Sequence, residues 1–232
     1  GNLPFETFLV EISMQQIINY QELHYLIKDF TISYNYSATL FKENIKAPKQ
    51  NNNGKLLACA ATYHLSDSSL VDLRLPYFCR LRSKLKPLPS AQDEIKELSA
   101  HFEGEFLLKD SSNENYFKKI ADQYGIIHLA MHGVLDEREP MLSSLAFTEN
   151  KDTVEDNFLQ AYEISRMQLN ADLVVLSACE TGYGQFEQGE GVVSLARSFM
   201  YAGVPSLVVS LWQVNDVSTS IIMKEFYNNL SE

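Results

Sequence analysis

Two apolar runs in this sequence end in residues that can do chemistry. GIIHLAMHG breaks off at His132-Gly133, and ADLVVLSACETG breaks off at Cys179-Glu180. A thiolate is a strong nucleophile, and an imidazole titrating near neutrality is its natural base. If the two runs are neighbouring strands, His132 and Cys179 lie above the same edge of one sheet. The histidine precedes the cysteine by 47 residues, close to the spacing of about 50 known for one group of thiol enzymes. Gly133 has no side chain, so its backbone N–H can closely approach a developing oxyanion. The N–H of Cys179 is the expected second donor. Four glycines follow the cysteine, Gly182, Gly184, Gly189 and Gly191, and predict a mobile loop forming one wall of a cleft.

Each half of this pattern also has an ordinary reading. A lone cysteine ending an apolar strand is more often packing material, and a strand histidine is more often structural. The joint pattern weighs more, because both residues sit at the edge where α/β sheets hold ligands. His128 stands four residues before His132 on the same strand face. Strand spacing separates the two by about 13 Å, too far for one ion. No metal is therefore expected, and His128 is read as a packed histidine supporting the site. The glycines of GYGQFEQGEG fit neither GxGxxG nor GxxxxGK[ST], and Glu187 and Glu190 would repel phosphate. No cofactor is expected.

The elements that must position these residues alternate along the chain. KLLACAATY (55–63), GEFLLKD, GIIHLAMH (125–132), ADLVVLSA (171–178) and VPSLVVSLW (204–212) read as strands, with SSLAFTEN a further candidate. SAQDEIKELSAHF (90–102) reads as a helix capped by Ser90, and SSNENYFKKIADQY as a second helix with a serine cap. DNFLQAYEISRMQL reads as mainly helical. GEGVVSLARSFMYAG (189–203) is a helix closed by Gly203, and NDVSTSIIMKEFYNNL a last helix. Strands apolar on both faces belong in a parallel sheet covered on both sides. The expected fold is a three-layer α/β/α sandwich with a mostly parallel central sheet. The polar stretch KAPKQNNNGK (46–55) reads as an exposed loop between a helical opening, 1–54, and the sheet region, 55–232, of a single domain.

Composition excludes other classes. The formal net charge of −11 disfavours nucleic acid and anionic membrane surfaces as partners. No apolar run reaches membrane-spanning length, and no secretory pattern opens the chain. Three widely spaced cysteines, Cys59, Cys79 and Cys179, make no disulfide framework and point to a reducing, cytoplasmic compartment. Cys59, inside LLACAATY, reads as core.

IIHLAMHG, LVVLSACETGYG, GEGVVSLARSFMYAGVPSLVVSLWQVND and FYNNL resemble, in order, blocks of the CHAT domain. GNLPFETFL, HYLIKDFTISYNYSATLF and KPLPSAQDEIKEL resemble its weaker upstream parts, so the likeness covers the chain. This is a caspase-like cysteine-peptidase family, related to separases and often found after tetratricopeptide repeats in bacteria. The resemblance implies a caspase/hemoglobinase-type fold, with His132 the catalytic histidine and Cys179 the nucleophile. It implies an S1 pocket bordered by Trp212 and Asp216, where a carboxylate would favour Arg or Lys at P1. Asp216 could equally cap the final helix, and Asp136 and Glu180 are rival acids for the pocket. The family pattern also has a strand before LPFE and a helix after FYNNL, so the chain is expected to be part of a longer one.

The expectation is a regulated cysteine endopeptidase acting on protein substrates, gated by a partner or a tetratricopeptide-repeat region. The 180–191 loop is the expected moving part. Two rivals stand beside it. One is a non-catalytic caspase-like scaffold, in which Cys179 would resist alkylation. The other is a thiol acyltransferase or transpeptidase, whose product would carry an amine nucleophile in place of water.

Overall fold

The computed structural model describes residues 23–33, 35, 38–39, 41–42, 54–63, 81–136, 138–150, 155–177, 190–210 and 214–231. The chain divides into two compact units, Gly1–Lys49 and Gln50–Glu232. In the first, a 3-10 turn spans Leu26–Lys28, and the Lys28 ammonium donates to the Leu23 carbonyl at 2.8 Å.

The second unit is built on a five-stranded sheet. Its strands are β1 (Leu56–Ala60), β2 (Gly104–Leu108), β3 (Ile126–Ala130), β7 (Leu173–Leu176) and β8 (Ser206–Val209), in the order β2-β1-β3-β7-β8. Every pairing in it is parallel. The interior strands are the ones that read as continuous apolar runs. All five residues of β1 are buried, as are the last four of β3 and the last three of β7. The edge strands β2 and β8 are more open. Side chains buried on both faces of a strand need a layer on each side, and helices supply both. Helix α1 (Pro89–His101) packs on α5 (Asp216–Leu230), and the single turn α3 (Ala161–Ile164) packs on α4 (Glu190–Tyr201). Helix α2 (Glu114–Ile120) lies between β2 and β3 in the chain. The fold is the expected three-layer, caspase-like α/β/α sandwich.

A second, antiparallel sheet joins β4 (Gly133–Val134), β5 (Ser144–Ala146) and β6 (Phe158–Gln160). Strand β6 falls where the sequence predicts helix. Phe158 and Leu159 pair with Ala146 and Leu145, and the helical stretch contracts to α3. A short apolar run has no periodicity long enough to tell strand from helix, and tertiary pairing decides. Asn157, at φ 67°, turns the chain into β6.

Two caps also differ from the serine caps predicted. Helix α1 starts at Pro89 with no side-chain cap of its own, and the Ser90 N–H donates to Asp216 Oδ2 at 3.0 Å, from the start of α5. Helix α2 is capped by Asn113, whose side chain accepts from the Tyr116 N–H at 2.9 Å. A proline at the first helical position has no N–H to satisfy, so the next orphan donor could be taken by another helix. Gly203 closes α4 as predicted, with φ at 107°, a conformation that only glycine adopts freely.

Candidate active site

The two chemistry-bearing strand ends are neighbours. Strands β3 and β7 pair directly, Leu129 opposite Leu176, and the Ser177 N–H donates to the Leu129 carbonyl at 3.0 Å just past the end of β7. His132 follows β3 by two residues, and Cys179 follows Ser177 by two. Cys179 and Glu180 themselves lie outside the described residues, as do Trp212 and Cys79.

His132 is almost fully buried and held from three sides. Its Nε2 lies 2.7 Å from the Lys86 carbonyl oxygen. A carbonyl can only accept, so Nε2 carries the proton and Nδ1 is the bare, basic nitrogen of the neutral ring. Nδ1 is buried and has no hydrogen-bond partner among the described residues. The Tyr63 ring leans on the imidazole, centroids 4.7 Å apart and planes at 51°. The Tyr63 hydroxyl accepts from the His132 backbone N–H at 3.0 Å and donates to the Ala146 carbonyl at 2.5 Å. The Ala146 N–H completes the loop by donating to the His132 carbonyl at 2.9 Å. Burial pushes the Tyr63 phenol well above its usual range, so the hydroxyl keeps its proton and both bonds.

The Lys86 carbonyl is itself anchored. Arg82 donates to the Phe147 carbonyl at 2.9 Å and the Asn157 carbonyl at 3.2 Å, with its guanidinium 4.7 Å from the Phe158 ring centroid. These bonds tie the segment before α1 to the antiparallel sheet. Neither Tyr63 nor Lys86 was singled out by sequence reasoning. Lys86 acts through its main chain, which carries no residue signature. Tyr63 does lie just beyond the end of β1, at the functional edge, and that position was a usable signal.

Gly133 pairs with Leu145. Because the Ala146 N–H bonds to His132, the ladder bonds flank this pair, and the Gly133 N–H lies outside the ladder. It is therefore not used by this sheet, next in sequence to the histidine.

The candidate pocket acids separate. Asp136 Oδ1 accepts from the N–H groups of Arg138 and Glu139 at 3.0 and 2.9 Å, which makes it a turn former. Asp216 opens α5, but Asn215 is that helix's cap, its side chain accepting from the Ser218 N–H at 3.2 Å. The Asp216 carboxylate instead caps α1 from outside. His128 is the packed histidine predicted. Its Nδ1 is 2.9 Å from the Tyr227 hydroxyl and its Nε2 is 2.7 Å from Glu94 Oε1. Cys59 is core, its thiol pushed far up by burial.

One cluster among the described residues could in principle hold a cation: Glu114, Glu155 and Glu163. The Lys118 ammonium already sits among them, 2.6, 2.8 and 2.8 Å from the three carboxylates. Those bonds raise its pKa, so the charge there is answered by a side chain of the protein.

A CHAT-domain family model matches residues 2–232, essentially the whole chain. The chain belongs to the CHAT-domain family. This family is caspase-like and protease-related, in accord with the sheet order and the buried histidine at its edge. The CHAT chain is also similar to mouse tetratricopeptide repeat protein 28, 32% identical over 72 residues, and to the human protein of that name, 30% identical over 77. Those alignments cover 31% and 33% of this chain but 3% of each relative. Among the described residues, no helix is long and apolar enough to cross a membrane.

Proposed function

We propose that this CHAT domain is a cysteine endopeptidase working through a Cys179–His132 dyad. The observation that carries the reading is the state of His132. Its Nε2–H is fixed on the Lys86 carbonyl, and its Nδ1 has no partner among the described residues, just past the strand next to the one that leads to Cys179. A base needs one nitrogen oriented and the other free, and a backbone carbonyl can do the orienting without a third acidic residue. In the reaction, Nδ1 takes the Cys179 proton. The thiolate attacks the peptide carbonyl carbon, and the N–H groups of Gly133 and Cys179 hold the oxyanion. The imidazolium then protonates the leaving amine as the C–N bond breaks. Nδ1 next deprotonates the water that attacks the thioester, and returns that proton to the thiolate.

The P1 residue we propose is Arg or Lys, read by an acid near Trp212. Asp216 and Glu180 are the carboxylates favoured for this role: Asp136 accepts two N–H groups of its own turn, whereas Asp216 accepts one, from Ser90. Asp216→Asn keeps an oxygen for the Ser90 N–H and removes the charge. Loss of basic-P1 selectivity at unchanged melting temperature assigns the pocket to Asp216, and retained selectivity moves it to Glu180. Likeness to a protein named for tetratricopeptide repeats supports association with such a region, and gating by it in the cytoplasm is part of the same proposal.

The deciding experiment is intact mass after treatment with an arginine-based acyloxymethyl ketone. One adduct on wild type, absent from Cys179→Ala and His132→Ala, is the expected result. Labelling that persists in either variant sinks the dyad.

A further inference from the structure

Below the site, on the face covered by α1 and α5, runs a buried polar chain that the dyad chemistry does not use. Glu94 of α1 is 2% exposed, His128 of β3 0%, Ser177 at the end of β7 1%, and Tyr227 of α5 1%. The Ser177 hydroxyl donates to Glu94 Oε1 at 2.7 Å. The same oxygen lies 2.7 Å from His128 Nε2, and His128 Nδ1 meets the Tyr227 hydroxyl at 2.9 Å. One carboxylate oxygen therefore touches both central strands, at positions four residues before His132 and two before Cys179.

We infer that Glu94 is a positioning residue for the nucleophile, acting through the Ser177 hydroxyl. The inference rests on the dyad reading above. A buried carboxylate is costly, and well-packed apolar side chains would hold the two strands at least as firmly. What an apolar contact lacks is direction. The hydroxyl must point its proton at Glu94 Oε1, which fixes the rotation of the chain about its axis at Ser177. Backbone bonds fix β7 as far as Ser177, whose N–H is held by Leu129. The Ser177 side chain adds the constraint from which the next two residues set out. His128 Nε2 stands against the same Glu94 oxygen from β3, so the reference point for the cysteine touches the strand that leads to the histidine. Glu94 Oε1 thus links the strand that leads to the histidine with the end of the strand that leads to the cysteine.

The test is the pH dependence of iodoacetamide alkylation at Cys179, followed by peptide mass so that Cys59 and Cys79 do not count, alongside melting temperature. The thiolate is the reacting form, so the profile reports how well the imidazole stabilises it. Ser177→Ala should slow alkylation at neutral pH on the order of tenfold. It should also move the profile toward that of His132→Ala, while the protein still melts cooperatively. Ser177→Thr, which keeps the hydroxyl, should restore the wild-type profile. A lowered melting temperature with an unchanged profile would mean a structural role only, and would overturn the inference. If His132→Ala itself leaves the profile unchanged, the dyad and this inference fall together. If it moves the profile and Ser177→Ala does not, only this inference falls.

Discussion

His128 and His132 leave the same stretch of chain four residues apart, and the protein treats them in opposite ways. His128 lies under the sheet, its Nδ1 bonded to the Tyr227 hydroxyl and its Nε2 2.7 Å from a Glu94 oxygen without hydrogen-bond geometry. His132 lies just past the strand end with one nitrogen anchored and the other without a hydrogen-bond partner among the described residues. Both are buried, so exposure does not separate them. The difference is what stands at the second nitrogen: a Glu94 carboxylate oxygen lies against His128 Nε2, whereas His132 Nδ1 has no hydrogen-bond partner among the described residues. In the helical layer the packing of α1 and α5 brings side chains to both nitrogens. At the carboxyl edge the strand ends two residues before His132, and no described residue hydrogen-bonds its Nδ1. A buried polar atom left without a partner is costly, and such atoms persist where a reaction needs them.

The sharpest way to test this contrast is to remove each ring. His132→Ala should cut peptide hydrolysis by about ten-thousand-fold or more while the fold survives, as should Cys179→Ala. Turnover of an arginyl substrate, followed beside circular dichroism, checks both. His128→Ala should act on stability first, costing about 1–3 kcal/mol because the buried Tyr227 hydroxyl loses the ring nitrogen it bonds. Urea unfolding measures it. Equal stability losses from the two histidines would break the comparison.

Tyr63→Phe sharpens it further. The change leaves the His132 N–H and the Ala146 carbonyl without their shared hydroxyl, at a cost of about 1–3 kcal/mol. It should also lower kcat more than it raises KM, because the imidazole it loosens acts in the chemical step. A pure stability effect with kcat intact would leave Lys86 as the sole orienting group.

The smallest effect concerns another incompletely bonded buried group. Glu114 is buried beside Lys118, and burial pushes its carboxyl up from 4.5 to about 7. The folded state thus holds a proton that the unfolded chain releases. Stability should therefore fall as pH rises from about 4.5 to about 7, and level off above that. Glu114→Gln should flatten this slope without touching hydrolysis. If it changes activity, an unpartnered buried atom is not by itself diagnostic of the site.

Much of this was legible before any coordinates. Strands β1, β3 and β7 announce themselves as unbroken apolar runs because both their faces are covered. Gly203 closes its helix in the left-handed conformation. The helix ends misled where the donor's partner came from elsewhere: Ser90 is capped by Asp216, 126 residues away. DNFLQ read as helix because three residues of buried strand are too few to show a period.

Residue type and periodicity along a single element determined which side chains could react and which face of each strand is buried. They named His132 and Cys179 from their places at two strand ends, and His128 as a packed ring. Tertiary structure alone decided which nitrogen of His132 is anchored, because the Lys86 carbonyl comes from 46 residues away. It also decided that Tyr63, 69 residues distant, holds the His132 backbone, and that Glu94 joins Ser177 to His128. The physical reason is the same each time. Burial leaves a periodic trace in one element's own residues, whereas a hydrogen bond across the fold depends on two atoms that only packing brings together. Where one of them is a main-chain carbonyl, no residue type marks it.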